Sequence, residues 1–303
     1  MNQHGVKTYS SVVLVAGMCW LLYWFVEKYL LYWGLEYSGD VFLHTQISKS
    51  FYEGKGLFYD NIFAPASHIH NYFVLLLLAP FTFTWGALGL PLAHALINLW
   101  AFWYLLGTFK YDKTIWIGAV AFFLGPIAFW LTDDPAYGWH SELLFFPFSV
   151  LFACALVRQS PLAYLFGLLL TLNREDGPIV ACAVHSVVLL SAGKRDRALL
   201  LRWLKVVALW VVIFALGMLF LKIVGDGANT RQGKVVQMGM RAWGEPELRN
   251  AVLEMLGGTL LLLLSGSLLL FVRGGPRVTG VVLLCGLPVL LVSLIASFAY
   301  LPK

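Results

Sequence analysis

Long apolar runs constrain this chain more than any other feature of its sequence. Runs of about 16 to 25 residues with few charges recur along the 303 residues, and runs of that length are typical of transmembrane helices. Only 12% of the residues are charged and 60% are hydrophobic, whereas about a quarter of the residues in a soluble domain are charged. Too few charges remain to cover a water-facing surface. The composition therefore excludes a soluble enzyme, a nucleic-acid-binding protein and a disulfide-rich secreted domain.

The apolar runs predict an all-α, polytopic membrane protein that forms a single transmembrane domain over residues 1–303. We expect about nine transmembrane helices, at 11–33, 88–109, 114–131, 141–157, 161–172, 177–191, 200–224, 257–272 and 278–300. A further apolar piece, 72–84, contains Pro80 and is short for a span. We interpret it as an interfacial helix segment in the first outer loop.

The charged residues predict the topology. With a cytoplasmic N-terminus, the inner segments hold 11 of the 21 basic residues but only 2 of the 16 acidic ones, which is a strong positive-inside pattern. If 72–84 crossed the bilayer, the basic cluster at 194–205 would lie outside and the pattern would disappear. The chain is thus predicted to be a multi-pass protein of the inner (plasma) membrane. Four polar segments, 38–46, 68–70, 133–142 and 173–176, then meet at its outer face beside the loop 225–256.

Two of these segments carry the acidic residues best suited to chemistry. Asp40 follows the first span and is either a functional acid or the N-terminal cap of the next helix. Arg174, Glu175 and Asp176 follow a helix of about 12 residues, which rises about 18 Å and leaves them below the outer surface. Ionisable groups at such depth are usually paired or functional. The alternative to a functional role is an ion pair of Arg174 with Glu175 or Asp176.

Histidines and basic residues complete the candidate set. His140 lies in the acidic loop 133–142 and His70 precedes the interfacial segment, although either histidine could be structural. Carboxylates and imidazoles suit a divalent cation such as Mg²⁺ or Mn²⁺. The candidate metal ligands are therefore Asp40, His70, His140 and Glu175. The sequence contains no H-E-x-x-H motif that would support a metal site. The loop 225–256, with a short amphipathic helix, offers basic residues that either bind a lipid phosphate or pair with its own acids; they include Arg231, Lys234 and Arg241.

Several short motifs lie within residues 30–190. They are the Gly39-Asp40 step with Gln46, His70 before Leu77-Leu78-Ala79-Pro80, Trp139-His140-Ser141-Glu142 and Arg174-Glu175-Asp176. Together they resemble a bacterial and archaeal family of integral membrane proteins of unknown function that is grouped with the GT-C superfamily of glycosyltransferases. The chain departs from that family at Gly138, where Asp is usual, at Arg174, where Lys is usual, and at Tyr72-Phe73, which replaces Ser-Pro.

The resemblance implies a membrane glycosyltransferase that transfers a hexosyl or pentosyl group from a polyprenyl-phosphate donor at the outer face. Asp40 would be its general base, and the further catalytic candidates are His140, Glu175 and Asp176. The candidate substrate-binding residues are Gln46, His70, Arg174, Arg231, Lys234 and Arg241. A divalent cation, Mg²⁺ or Mn²⁺, is the cofactor that such a site would take.

Two other functions fit the sequence. A non-catalytic GT-C-fold subunit of a membrane complex would keep the fold and would tolerate the change at Gly138. A lipid or solute transporter would use the polar break at 173–176, because discontinuous helices build substrate sites in transporters. In every case the bilayer is a partner and nucleic acid is not.

Cysteine labelling tests the predicted topology. In a background without native cysteines, a cysteine at Ala198 should stay unlabelled by a membrane-impermeant reagent, because the basic cluster beside it is predicted to be cytoplasmic. A cysteine at Ala228 should be labelled. The opposite pattern would overturn the topology and the convergence of the four polar segments on the outer face.

Overall fold

A computed structural model of the chain describes residues 3–34, 39–61, 70–109, 112–123, 138–192 and 197–224, and the positions 245, 246, 249, 250, 253, 257, 279, 280 and 283. Within these ranges all regular structure is helical and no strand occurs. The all-α prediction is confirmed for this part of the chain.

The helices within these ranges are numbered along the chain. In chain order they are α1 (Gln3–Trp33), α2 (Asp40–Ser50), α3 (Phe73–Leu77), α4 (Ala79–Trp85), α5 (Gly89–Thr108), α6 (Lys113–Phe123), α7 (Phe145–Val157), α8 (Leu162–Asn173), α9 (Gly177–Ala192) and α10 (Arg197–Val224). Two 3-10 segments, Gly86–Leu88 and Ser141–Leu144, lead directly into α5 and α7.

Two stretches of the described residues are long and apolar enough to cross a membrane, Ala79–Thr108 and Arg197–Ile223. The first is interrupted at Gly86, but α5 alone has 20 residues and rises about 30 Å, which matches a hydrocarbon core. The second is apolar around its circumference and largely exposed; Leu216 is 60% and Ile223 73% exposed. A helix that is apolar on all sides belongs either in a protein core or in lipid, so this exposure favours association with a membrane.

The expected number of about nine spans is not confirmed by the described residues. α7, α8 and α9 have 13, 12 and 16 residues, and each is shorter than the about 20 residues that usually cross a bilayer. The runs 257–272 and 278–300 lie almost wholly outside the described residues. The structure supports the coarser statement of a helical chain with two candidate spans.

The segment 72–84 forms two short helices, α3 and α4, which are separated at Leu78. Pro80 lies in the first turn of α4, where its missing N–H removes no helical hydrogen bond. Gly86 ends α4 with φ 60°, a left-handed conformation that favours glycine, and the chain then enters α5. The segment is thus broken at Leu78, and its location at a bilayer interface stays a prediction.

The chain divides into two compact units. The first comprises Met1–Ser67 and Tyr72–Arg174. In it α5 packs against α1 and α7, α8 packs against α7, and α2 packs against α3 and α4. Its core includes the fully buried Ile47, Leu75, Leu90, Leu151 and Phe166.

The second unit comprises His68–Asn71 and Glu175–Lys303. Here α9 packs along α10. The indole N–H of Trp203 donates a hydrogen bond to the hydroxyl of Ser186 at 3.0 Å, which joins these two helices.

The start of α5 leaves no room for a side chain at Gly89. A Cβ atom there would lie 2.7 Å from the backbone nitrogen of Thr82 in α4 and closer still to the carbonyl of Phe81. Gly89→Ala should therefore lower the free energy of unfolding by about 1–3 kcal/mol, the usual cost of overpacking. Gly107→Ala is the matched control in the same helix, because its Cβ would enter open space. Thermal unfolding in detergent compares the two, and equal melting temperatures would contradict the close packing of α4 on α5.

Candidate functional site

Asp40 begins α2, and the packing of that helix fixes its position. Gly39 occupies the N-cap position with φ 90°, so Asp40 lies in the first turn and is not the cap. The capping interpretation of Asp40 is therefore wrong. Ile47, about two turns further along α2, is fully buried, and the Ser48 hydroxyl shares a 2.8 Å hydrogen bond with the Thr82 hydroxyl of α4. These contacts hold the helix that carries the carboxylate.

His140 lies beside Asp40, just before the 3-10 segment Ser141–Leu144. Its Nδ1 is 3.4 Å from Oδ2 of Asp40 and 3.8 Å from Oε2 of Glu142. The side chains of Asp40, His140 and Glu142 are 35%, 24% and 37% exposed. Asp40, His140 and Glu142 thus lie side by side, and all three side chains remain accessible to a ligand.

Buried aromatic packing sets the backbone that carries His140. Trp139 is buried, and the Nδ1–H of His44 donates to its carbonyl at 3.3 Å. The two rings also pack edge to face, with centroids 5.6 Å apart. Gly138 directly precedes Trp139 and has φ 80°, a left-handed conformation that favours glycine. The backbone conformation at position 138 therefore favours the glycine that this chain carries there.

Arg174 contacts this group of side chains through an ion pair with Glu142. It follows α8 directly, and its side chain is only 7% exposed. Sequence reasoning offered Glu175 or Asp176 as a partner, and the structure shows an ion pair with the carboxylate of Glu142, which was not among the predicted site residues. We refer to Asp40, His140, Glu142 and Arg174 as the Asp40 cluster; all four belong to the first unit.

His70 and Glu175 form a separate pair within the second unit. The His70 Nδ1 lies 2.6 Å from Oε1 of Glu175, and the backbone N–H of Asn71 donates to Oε2 at 3.2 Å. Both side chains are largely buried. Because Glu175 accepts at Nδ1, it orients the imidazole and places a proton on that nitrogen. A carboxylate that orients an imidazole in this way is a common proton-transfer device.

The other predicted site residues have different outcomes. Gln46 accepts the backbone N–H of Asn61 on its Oε1 at 2.9 Å, which gives it a structural contact with the loop after α2. The carbonyl of Asp176 accepts the N–H of Ile179 at the start of α9, and the role of its side chain stays a prediction. Arg231, Lys234 and Arg241 lie outside the described residues.

The short helix predicted in the loop 225–256 has one described turn. The N–H of Arg249 donates to the carbonyl of Glu245 at 2.9 Å, as in an α-helix. The amphipathic character of that helix stays a prediction.

The metal-ion prediction gains no support from the described residues. No three His, Cys, Asp or Glu side chains among them are grouped so that they could hold a metal ion. The candidate ligands fall into two pairs, Asp40 with His140 and His70 with Glu175. A Mg²⁺ or Mn²⁺ ion at either pair would need further oxygen ligands from substrate or water.

Several buried polar residues were not among the predicted site residues, and three of them lie on α1 and α5. Lys28, His94 and Asn98 are 1%, 1% and 5% exposed, on α1 and α5. Each lies inside an apolar run, where an ionisable residue is by itself a functional signal. His94 and Asn98 are four residues apart, which puts both on one helix face. This spacing is a further signal by which these two residues could have been selected from the sequence.

Comparison of the chain with models of known protein families, with curated proteins and with solved structures found no match. The resemblance noted in the sequence therefore stays an interpretation of its motifs. The chemistry of the Asp40 cluster and of the His70–Glu175 pair has to support any function.

Loss of Glu142 should destabilise the first unit, because it leaves the nearly buried guanidinium of Arg174 without this carboxylate. Glu142→Ala should lower the free energy of unfolding by about 1–3 kcal/mol, less than for a fully buried pair because Glu142 is partly exposed. Adding Arg174→Met should recover part of that loss, since it removes the cation. Denaturant unfolding in detergent measures both variants.

The exposed Lys55–Glu53 pair provides the matched control. Its nitrogen and oxygen are 2.7 Å apart, and Glu53 raises the pKa of Lys55 above its ordinary value through a hydrogen bond and its charge. Glu53→Ala should nevertheless leave the stability unchanged, because solvent screens an exposed pair. A Glu142→Ala protein as stable as the Glu53→Ala protein would show that the Arg174–Glu142 pair does not hold the cluster together.

Proposed function

We propose that this protein is a GT-C-type membrane glycosyltransferase. It would transfer a hexosyl or pentosyl group from a polyprenyl-phosphate donor to an acceptor hydroxyl at the outer face of the inner membrane. The polytopic arrangement with about nine spans and the cytoplasmic N-terminus, both inferred from the apolar runs and the charge bias, are part of the proposal.

The contact between Asp40 and His140 is the observation that supports the proposal most. A general base must be accessible to a substrate hydroxyl and must be held in one place by its neighbours. The Asp40 carboxylate is partly exposed, and its Oδ2 lies 3.4 Å from the imidazole of His140. Asp40 also comes soon after α1, whose sequence is the first predicted span, and this suits a site at a membrane surface.

In the proposed reaction Asp40 accepts the proton of the acceptor hydroxyl while the hydroxyl oxygen attacks the anomeric carbon of the sugar. A C–O bond to the acceptor forms, the bond between the sugar and the lipid phosphate breaks, and its electron pair leaves with the phosphate. His140 holds the Asp40 carboxylate in position for the proton transfer. A positioned base of this kind contributes about 10²–10⁴ to the rate.

Negative charge develops on the departing phosphate, so a cation close to it would lower the barrier. Arg174 is the cation of the Asp40 cluster, and the planar guanidinium suits phosphate oxygens. Its ion pair with Glu142 holds the guanidinium in place but also offsets its charge. The donor phosphate would therefore share Arg174 with Glu142.

The same ion pair favours a second candidate function, that of a non-catalytic GT-C-fold subunit of a membrane complex. A cation that is already matched by a carboxylate can be part of a purely structural network. The two functions differ at Asp40, because only the enzyme needs this residue to accept a proton.

Asp40→Asn should abolish turnover and leave the fold intact. Asn is nearly isosteric with Asp, but it cannot accept the proton, so sugar transfer should fall by about 10²–10⁴. Since Gly39 and not Asp40 is the N-cap of α2, the melting temperature should stay close to that of the wild type. The measurement is sugar transfer from polyprenyl-phosphate donors in vesicles, beside a thermal melt.

Asp112→Asn is the matched control, because Asp112 is a helix cap. Its Oδ1 accepts the N–H of Ile115 at 3.1 Å at the start of α6, and Asn caps helices as well as Asp does. This variant should keep both its melting temperature and its transfer activity. Wild-type transfer by Asp40→Asn would refute Asp40 as the base, and a wild type inactive with every donor would favour the non-catalytic subunit.

A further inference from the structure

His44 is a buried histidine on α2 that was not among the predicted site residues. It lies four residues after Asp40, so the two side chains are on the same side of the helix and about 6 Å apart along its axis. Only 2% of His44 is exposed, whereas the Asp40 side chain is 35% exposed. One side of α2 therefore carries a carboxylate that a ligand can reach and, one turn later, an imidazole that a ligand cannot reach.

The His44 ring contacts aromatic residues of two other segments of the first unit. Its centroid lies 5.3 Å from that of Tyr72, 5.6 Å from that of Trp139 and 6.0 Å from that of His140, each time edge to face. Its Nδ1–H donates a hydrogen bond to the carbonyl of Trp139 at 3.3 Å. His44 thus contacts both the histidine that lies beside Asp40 and the backbone directly before that histidine.

The hydrogen bond from His44 acts on the peptide group that joins Trp139 to His140. The carbonyl of Trp139 and the N–H and Cα of His140 lie in one plane, because the peptide bond does not rotate freely. The carbonyl of His140, on the other side of its Cα, accepts the N–H of Leu143 at 3.2 Å. Both peptide groups that flank this Cα are therefore held, which fixes the direction in which the His140 side chain leaves the backbone.

These contacts connect Asp40 and His140 by a second route, besides the contact of their side chains. One turn of α2 leads from Asp40 to His44, whose hydrogen bond leads to the carbonyl of Trp139. His140 is the next residue, and its Nδ1 lies 3.4 Å from Oδ2 of Asp40. The distance between this imidazole and the carboxylate therefore depends on the hydrogen bond that His44 donates.

Ring packing alone would not require a histidine at position 44. Phenylalanine can make similar edge-to-face contacts with neighbouring rings, and it has no nitrogen to desolvate. What the imidazole adds is a directed hydrogen bond to the segment that carries His140. The same segment is held two residues later by the ion pair of Glu142 with Arg174. The hydrogen bond and the ion pair together hold the segment on both sides of the His140 side chain.

We propose that His44 is a positioning residue, which holds the imidazole of His140 against the carboxylate of Asp40. As a buried residue it acts through His140 rather than on a substrate. Its effect on turnover rests on the proposed function, in which Asp40 accepts the proton of the acceptor hydroxyl. A displacement of about 1 Å from the reactive geometry can cost about 10²-fold in rate. Loss of the hydrogen bond should therefore slow sugar transfer and leave donor binding unchanged.

Two substitutions separate the hydrogen bond from the packing. His44→Phe keeps a ring and removes the Nδ1–H, whereas His44→Asn removes the ring and keeps an N–H donor at nearly the same place. At a temperature at which the full-length variants are folded, His44→Phe should lower kcat for sugar transfer about ten- to hundredfold with KM unchanged. His44→Asn should recover most of that rate. Trp203→Phe is the matched control, because it removes a ring N–H that donates to Ser186 in the second unit, and it should leave kcat unchanged.

Heteronuclear NMR of histidine-labelled protein measures the position of His140 without turnover. The Nδ1 resonance of His140 is assigned by its absence from His140→Gln, and its shift in Asp40→Asn shows the effect of losing the carboxylate. His44→Phe should shift this resonance toward its position in Asp40→Asn. His44→Asn and Trp203→Phe should leave it close to its wild-type position.

A wild-type resonance or a wild-type kcat in His44→Phe would overturn the proposal. A His44→Asn protein slower than His44→Phe would also overturn it, because ring packing would then be the cause. If His44→Phe does not fold, His44→Asn tests the proposal by itself, and a His140 resonance like that of Asp40→Asn would count against it. If the wild type transfers no sugar, the proposed function fails, and the resonance alone decides whether His44 positions His140.

Discussion

The ion pair between Arg174 and Glu142 is the interaction on which the Asp40 cluster depends most. Arg174 is nearly buried at the end of α8, and a buried guanidinium is costly unless a carboxylate and hydrogen bonds compensate its lost hydration. Glu142 provides that carboxylate from the 3-10 segment Ser141–Leu144, which packs against α7 and α8. His140 precedes Glu142 by two residues on the same stretch of backbone. The position that Arg174 imposes on Glu142 therefore also fixes how closely the imidazole approaches Asp40.

Sequence patterns predicted the helices well where apolar runs end at clear breaks. The run 161–172 became α8 at Leu162–Asn173, and 88–109 became α5 at Gly89–Thr108. Pro161, Gly89 and the polar residues after Asn173 mark these ends, because proline, glycine and clustered charges interrupt a helix locally. The number of spans could not be settled in the same way. Composition shows that a run is apolar, but α7 and α8 are each too short to identify as a span from length alone.

The residues of the site were largely predictable, but their partners were not. Asp40, His140, Arg174 and Glu175 stand out because ionisable groups are scarce in this chain. Arg174 binds Glu142 and Glu175 binds His70, both distant along the sequence, and such pairings depend on how loops fold back on the helices. Gly138 shows the same limit, because the sequence does not reveal that the backbone takes φ 80° at this position, which favours glycine. Lys28 and His94 were not selected from the sequence, although their position within apolar runs is a signal; their burial depends on the packing of α1 against α5.

The Asp40 cluster combines a feature of a structural network with a feature of an enzyme site. The Arg174–Glu142 pair balances its own charges, as the members of a structural network do. The Asp40 carboxylate is 35% exposed beside His140, and a general base has to be accessible to its substrate in this way. A purely structural role does not need an exposed carboxylate at this position. Proton transfer at Asp40 is therefore the property that separates an enzyme from a non-catalytic subunit.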